Sequence, residues 1–268
     1  MTLKAIGACV VIFFTAACTQ SNTVEPADMP VPKETVDLGA LITEDLPERV
    51  WGKRLLAENK FSDPNSFKIL GWRQDYGGGT ISGSNSYYTL FNHGGPHVDA
   101  PNHVGLSGGL DSYAVDQFSG PAKVFDISHF SPGRTVDADF FAGQAINPGD
   151  IVLLFTGYSP PRDDRSYPVS ISMTRAAALF LAGIPIRAIG TDSQSFYSFQ
   201  DTRPVEADTP LASAAPIHET FLSRGIPVYE QLFNVDQLLG KRNLFFSGVP
   251  LNVRDGDGMI VRPVVFVY

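Results

Sequence analysis

Residues 151–189 read IVLLFTGYSPPRDDRSYPVSISMTRAAALFLAGIPIRAI, and this stretch decides the fold class. Its first five residues are an unbroken apolar run, the pattern of a strand buried on both faces. Residues 173–182 read as a helix, with Ser172 placed as N-cap and Gly183 as C-cap. Residues 186–189 read as the next strand, so the three pieces form a β-α-β unit. The alternation recurs downstream, where 217–224 is a helix stopped by Gly225 and 226–229 is a strand. Upstream, 49–60 reads as an amphipathic helix, 87–91 as a β-branched and aromatic strand, and 122–127 as a strand ending in a turn at Ser131, Pro132 and Gly133. The chain is expected to close with a hairpin turned at 255–258, whose return strand is 259–267. The class is α/β, a single domain with a mixed β-sheet flanked by helices.

Composition narrows the function. The 268 residues are 43% hydrophobic and 18% charged, enough apolar material for a real core. There are 20 Lys and Arg against 28 Asp and Glu, a net charge of -8, so a surface that tracks nucleic-acid phosphates would have to be built against the overall field. No nucleic-acid partner is expected.

The N-terminus reads as an address. Lys4 precedes an apolar run over 5–17, shorter than the ~20 residues that cross hydrocarbon as a helix. Thr15, Ala16 and Ala17 lead into Cys18, which resembles the lipobox of bacterial lipoproteins, with Thr15 in place of the usual leucine. This reading makes 1–17 a lipoprotein signal peptide and Cys18 the acylated first residue of the mature chain. The protein would then be exported and lipid-anchored to a bacterial membrane, with its domain in the periplasm or on the cell surface. Residues 18–35, with Pro26, Pro30 and Pro32, read as a disordered tether, and 36–268 as the folded domain. Both cysteines, Cys9 and Cys18, fall ahead of that domain, so no disulfide holds it.

The chemistry is concentrated in 91–104, which read FNHGGPHVDAPNHV. His93, His97, Asp99 and His103 lie close together in a chain with five histidines. Gly94, Gly95 and Pro96 would break a helix between the first two, so the segment is a loop or strand end. Imidazole plus carboxylate suits zinc, manganese or iron. His93, His97 and Asp99 form a three-ligand set that leaves a position open for water, the catalytic pattern. Two other readings stand beside it: His103 as a fourth ligand closing a structural site, and side chains that merely hydrogen-bond the loop.

The pattern of His93, Gly95, His97, Asp99, Pro101 and His103 resembles the signature of the cyclase family of metal-dependent hydrolases, which includes kynurenine formamidase and isatin hydrolase. The likeness extends to Gly190, Asp192 and Ser195 and to His218 followed by Glu230, and departs at Pro96, where the family usually has threonine. The resemblance implies a swivelling β/α-like domain and a homodimer. It also implies that His218 and Glu230 complete a centre of one or two divalent ions, zinc or manganese, with Asp99 bridging if there are two. His103 is implied as the general acid or base beside a metal-activated water. The expected substrate is a small formamide or cyclic amide, N-formylkynurenine-like or isatin-like, or a lactone. The alternative is a metal-containing periplasmic lipoprotein that binds a ligand without turnover.

Other features are weaker. Gly77, Gly78 and Gly79 read as a turn and not a phosphate loop. Asp192 and Ser195 read as organisers of a strand-end turn, Asp163 and Asp164 as a solvated loop, and His129 as a surface residue. Ser82 lacks the preceding glycine that a nucleophile elbow would need.

Overall fold

The computed structural model describes residues 30–42, 66–130, 135–158, 171–193, 196 and 216–268. The signal and most of the tether, the helix read at 49–60, the turn at Ser131, the loop at Asp163 and Asp164, and Ser195 lie outside these residues. Pro32–Tyr268 forms one compact unit. In chain order it contains β1 (Glu34–Asp37), β2 (Ser66–Tyr76), β3 (Gly79–Thr89), β4 (His97–Asp99), β5 (Ser119–Asp126) and β6 (Thr135–Val136). Next come α1 (Ala138–Ala142), β7 (Ile151–Phe155), β8 (Ser172–Met173), α2 (Arg175–Gly183), β9 (Ala188–Thr191) and α3 (Pro216–Leu222). The chain ends with β10 (Val228–Glu230), β11 (Leu244–Ser247), β12 (Gly258–Ile260) and β13 (Val264–Val267). β1 starts two residues ahead of the domain boundary read from composition.

Nine strands form one mixed sheet in the order β1-β13-β11-β5-β7-β9-β10-β4-β12. β5, β7, β9 and β10 are parallel, and antiparallel strands extend the sheet on both sides. The apolar run that opens the stretch deciding the class is a strand as read, Ile151–Phe155, whose residues 151–154 are at most 1% exposed. Gly183, read as the C-cap of the following helix, is instead its last residue, and Ile184 is the cap. Its alternate residues serve two cores. Val152 and Leu154 pack with Ala177, Leu181, Phe221 and Phe141 from the three helices. Ile151 and Leu153 face the other way, among Val98, Tyr229, Phe246 and Val265. A strand dry on both sides must be apolar throughout, which is why no alternation is visible in its sequence.

Three expectations change. Thr174, and not Ser172, caps α2: its hydroxyl accepts a hydrogen bond from the Ala177 N–H at 3.1 Å. Ser172 is instead held extended in β8, opposite Thr135 of β6, so the helix cannot begin until that pairing ends. The closing segment is no hairpin. β12 pairs with β4 at one end of the sheet, while β13 pairs with β1 and β11 at the other. Only Val261, Arg262 and Pro263 separate them, and three residues span at most roughly 10–14 Å, so the sheet curls until its ends approach. Pro263 has no N–H to donate, which splits one apolar run between two ladders.

The third change is a long ribbon. The segment read as a strand at 87–91 is the end of β3, which pairs with β2 over eleven residues around a two-residue Gly77, Gly78 turn. Trp72 lies across from Gly83, and a side chain on that glycine would meet the indole at 2.8 Å, so the ring occupies the glycine's empty place. The ribbon is exposed along β3, with Ile69, Ile81 and Tyr87 each more than half exposed. Gly225, at φ +67°, ends α3 as expected. Among the described residues no helix is long and apolar enough to cross a membrane.

Candidate metal centre

β4 builds the centre. Residues two apart on a strand share a face, so His97 and Asp99 stand side by side with Val98 turned into the core. The segment read as loop or strand end is therefore a turn carrying His93, then this strand, then a 3-10 turn over Pro101–Val104 carrying His103. The glycines have a task here. Gly95, at φ +81°, turns its carbonyl back to the His97 ring, whose Nδ1 lies 2.8 Å from the Gly95 oxygen. With Nδ1 donating to that carbonyl, His97 Nε2 is left to act as a ligand.

The second wall comes from β10 and α3. In the antiparallel register Glu230 sits opposite His97, so both point to the same side of the sheet. His218, in the first turn of α3, reaches Glu230 with Nε2 2.9 Å from Oε1. Asp99 lies between the two walls and is fully buried. Its Oδ1 is 2.9 Å from His93 Nδ1 and 3.3 Å from His97 Nε2, and its Oδ2 is 3.7 Å from His218 Nε2. Among the described residues, neither carboxylate oxygen has a properly aligned hydrogen-bond donor. Nitrogens close to an anion but out of line are groups arranged around a common point, and a buried carboxylate without donors is costly unless positive charge is shared with it.

The electrostatics say the same. Burial pushes the Asp99 carboxyl up, yet the imidazoles of His103, His97 and His93 hold it well below the usual range. Burial pushes His93 down, but the carboxylates of Asp257 and Asp99 outweigh it and raise its pKa to about 10. His218 is likewise raised, because Glu230 and Asp99 overcome its burial. The cluster demands positive charge, and a divalent cation supplies it with oxygen and nitrogen ligands already in place. Two sets fit, each with ligand atoms within 4.8 Å of one another: His93, His97 and Asp99, and Asp99, His218 and Glu230. Asp99 belongs to both, as a bridging ligand would.

All six residues singled out from the sequence thus converge. His103 stands at the rim, its side chain 26% exposed and its ring 4.2 Å from that of His93. Asp192 organises the turn after β9: it accepts the Thr156 hydroxyl at 2.7 Å and the Thr156 and Gly157 N–H groups at 2.8 and 3.0 Å. His129 is exposed and stacks on Phe130.

Three residues were missed. Asp257 lies with Oδ2 3.0 Å from His93 Nε2 and 3.9 Å from His103 Nδ1, making a third set of ligand type with those histidines. Gly258, opposite Asp99, brings the backbone of β12 so close that a side chain there would meet the His93 ring at 2.4 Å. Tyr113 has a buried hydroxyl without a hydrogen-bond partner among the described residues, and burial and the Asp99 charge raise its pKa. None gave a local signal, although the two Asp-Gly pairs of 255–258 in one short turn are a departure from chance composition.

Comparison with known proteins places this architecture. The Cyclase family model matches residues 7–197. A kynurenine formamidase of Salinibacter ruber is 30% identical over 180 residues, 66% of this chain and 76% of that protein. Among solved structures, a potential metal-dependent hydrolase with cyclase activity is 25% identical with a TM-score of 0.59, over 88% of this chain and 98% of that one. An isatin hydrolase bound to the product analogue thioisatinate shares the fold, with a TM-score of 0.66 at 21% identity, over 87% and 92% of the two chains. Curled mixed sheet, histidine and aspartate motif and matched length agree: the chain belongs to the cyclase family of metal-dependent hydrolases.

Proposed function

We propose that the protein hydrolyses a small formamide or cyclic amide, N-formylkynurenine-like or isatin-like, with one or two ions of zinc or manganese held by His93, His97, Asp99, His218 and Glu230. The observation that carries this reading is Asp99, whose two buried oxygens face histidines on two walls while His103 stands on the solvent side. The activities of the formamidase and isatin hydrolase relatives support the same substrate class. A divalent cation held by these residues would supply Lewis acidity and make water acidic enough to attack near neutral pH. The chain's own groups do the rest. The inner ligands exclude solvent and fix the position of positive charge. His103 accepts a proton from the attacking water as the carbon–oxygen bond forms, and releases it to the amine nitrogen as the carbon–nitrogen bond breaks.

The test is metal analysis of the purified domain followed by formamide, cyclic amide and lactone substrates. Turnover that requires added zinc or manganese and vanishes in His97→Ala supports the reading. Bound metal without turnover, together with saturable protection against heat by a carboxylate, would make the protein a ligand binder.

The reading includes export and attachment through acyl chains on Cys18, for which one chain alone would give only marginal binding. Palmitate labelling that is lost in Cys18→Ser checks it. It also includes a homodimer. A two-stranded ribbon is marginal in water by itself, so the apolar side chains of β2 and β3 are the surface a second copy would cover. Light scattering on wild type and on an Ile69→Asp, Ile81→Asp double variant checks that, a monomeric variant being the expected result.

A further inference from the structure

Asp257 arrives at the centre from the far end of the chain, 164 residues from His93, and no part of the function described so far uses it. Its place is fixed by a frame of hydrogen bonds between two distant segments. Asn92 Nδ2 donates to Asp257 Oδ1 at 2.7 Å and to the Gly258 carbonyl at 3.2 Å. The Ala100 N–H donates to the Asp257 carbonyl at 2.9 Å, the Leu110 N–H to the Gly256 carbonyl at 2.9 Å, and Asn102 Nδ2 to the Asp255 carbonyl at 2.8 Å. Asp111 Oδ1 accepts from the Asp255 N–H at 3.0 Å. A turn that only connected two strands would not need this many ties to one loop.

The frame leaves one carboxylate oxygen, Oδ2, against two imidazoles. His93 Nε2 is 3.0 Å away, while the opposite nitrogen of the same ring faces Asp99. A carboxylate that accepts from one nitrogen of a histidine fixes its tautomer and leaves the other free to ligate, and such partners are worth about 10–100-fold in metal affinity or activity. His103 Nδ1 is 3.9 Å from the same oxygen, longer than a hydrogen bond but within ion-pair range, so one carboxylate atom faces both the ligand ring and the ring assigned the proton. At 48% exposure the Asp257 side chain sits on the solvent side of the centre.

We propose that Asp257 is a positioning residue: it holds the His93 tautomer with Nδ1 turned toward Asp99, and aims His103 for proton transfer. This rests on the metal-dependent reading above, and the test separates the two. Asp257→Asn keeps the shape and removes the charge. Zinc affinity of the full domain is measured by competition with a chromophoric chelator, and the imidazole tautomers are read from nitrogen-15 shifts of the zinc-loaded protein, His93→Gln and His103→Gln spectra assigning the signals. The expected result is zinc affinity lowered about 10–100-fold and altered tautomer populations at His93 and His103. On a formamide substrate kcat should fall about 10–100-fold at saturating zinc with KM within about twofold, and Asp257→Glu should restore part of the loss. Unchanged zinc affinity with wild-type tautomers would overturn the proposal. If wild type turns over no amide or lactone, the functional reading fails, while the affinity and tautomer measurements still decide the role of Asp257.

Discussion

The inner wall of the centre and its rim are built from the same residue types and live under different rules. The side chains of Asp99, His218 and Glu230 are 0, 4 and 7% exposed, whereas those of His93, His103 and Asp257 are 14, 26 and 48% exposed. Inside, a carboxylate has no water to lean on, so each charge must be matched by another protein group or a cation. At the rim, solvent screens the same pairs and leaves the groups able to gain and lose partners. The inner wall is therefore suited to retention of a cation and the rim to turnover, although the two are joined through His93, which touches Asp99 with one nitrogen and Asp257 with the other.

The sharpest way to break this division is Asp99→Asn. Asp99 is the one group common to both inner ligand sets, and the amide cannot bridge two cations as a carboxylate does. Bound metal should fall to less than about a tenth of the wild-type content, with turnover at background; elemental analysis and a substrate assay check both. Substantial metal retention would show that the two walls grip independently. Next in size is His103→Ala at the rim. Removing a proton-transfer group costs about 10²–10⁴-fold in kcat, and the metal content should stay at the wild-type level. If metal is lost instead, His103 is a ligand and the rim belongs to the grip.

How much of this was legible in the sequence follows the same line. His93, His97, Asp99 and His103 are local, and the broken helix between them already required a turn. His218 and Glu230 were reached only through the family likeness, because a helix start and a strand end carry no ligand signal of their own. Asp257 and Gly258 could not be reached, since their meaning depends on β12 pairing with β4 and no local pattern tells a strand which neighbour it will have. The curl of the sheet was hidden for a related reason. Residues 259–267 look like one return strand, and Pro263 was the available warning that they are not. The apolar run of β7, buried on both faces, was unambiguous; the ribbon was not, because its glycines and serines have little strand propensity and only its aromatic end stood out.

Gly258→Ala tests whether the rim is positioned by backbone as well as by side chains. An added methyl would meet His93 Cε1 at 2.4 Å and both ring nitrogens at about 3 Å or less, so the imidazole has to move. The ring is held between two carboxylates, and moving it disturbs both contacts. Zinc affinity should fall about 10–100-fold, the cost typical of a disturbed ligand, with the thermal midpoint of the metal-free protein falling by about 2–4 °C. A wild-type affinity would mean that the ring adjusts freely and that His93 contributes little to the grip.

Asn92→Ala is the mildest of these changes. It removes the 2.7 Å hydrogen bond to Asp257 Oδ1 and the 3.2 Å bond to the Gly258 carbonyl, but leaves Asp257 Oδ2 its contact with His93 and leaves the Ala100 N–H bond to the Asp257 carbonyl. Water can replace one donor at a carboxylate this exposed, so the loss should fall below the range usual for a hydrogen bond to a charged group, to roughly 1 kcal/mol. That is about fivefold in zinc affinity if the frame alone sets the Asp257 position, and kcat should follow metal occupancy with no further loss. A larger fall in kcat than in affinity would place Asn92 beside the substrate, and the boundary between grip and turnover would then run through the turn before β4.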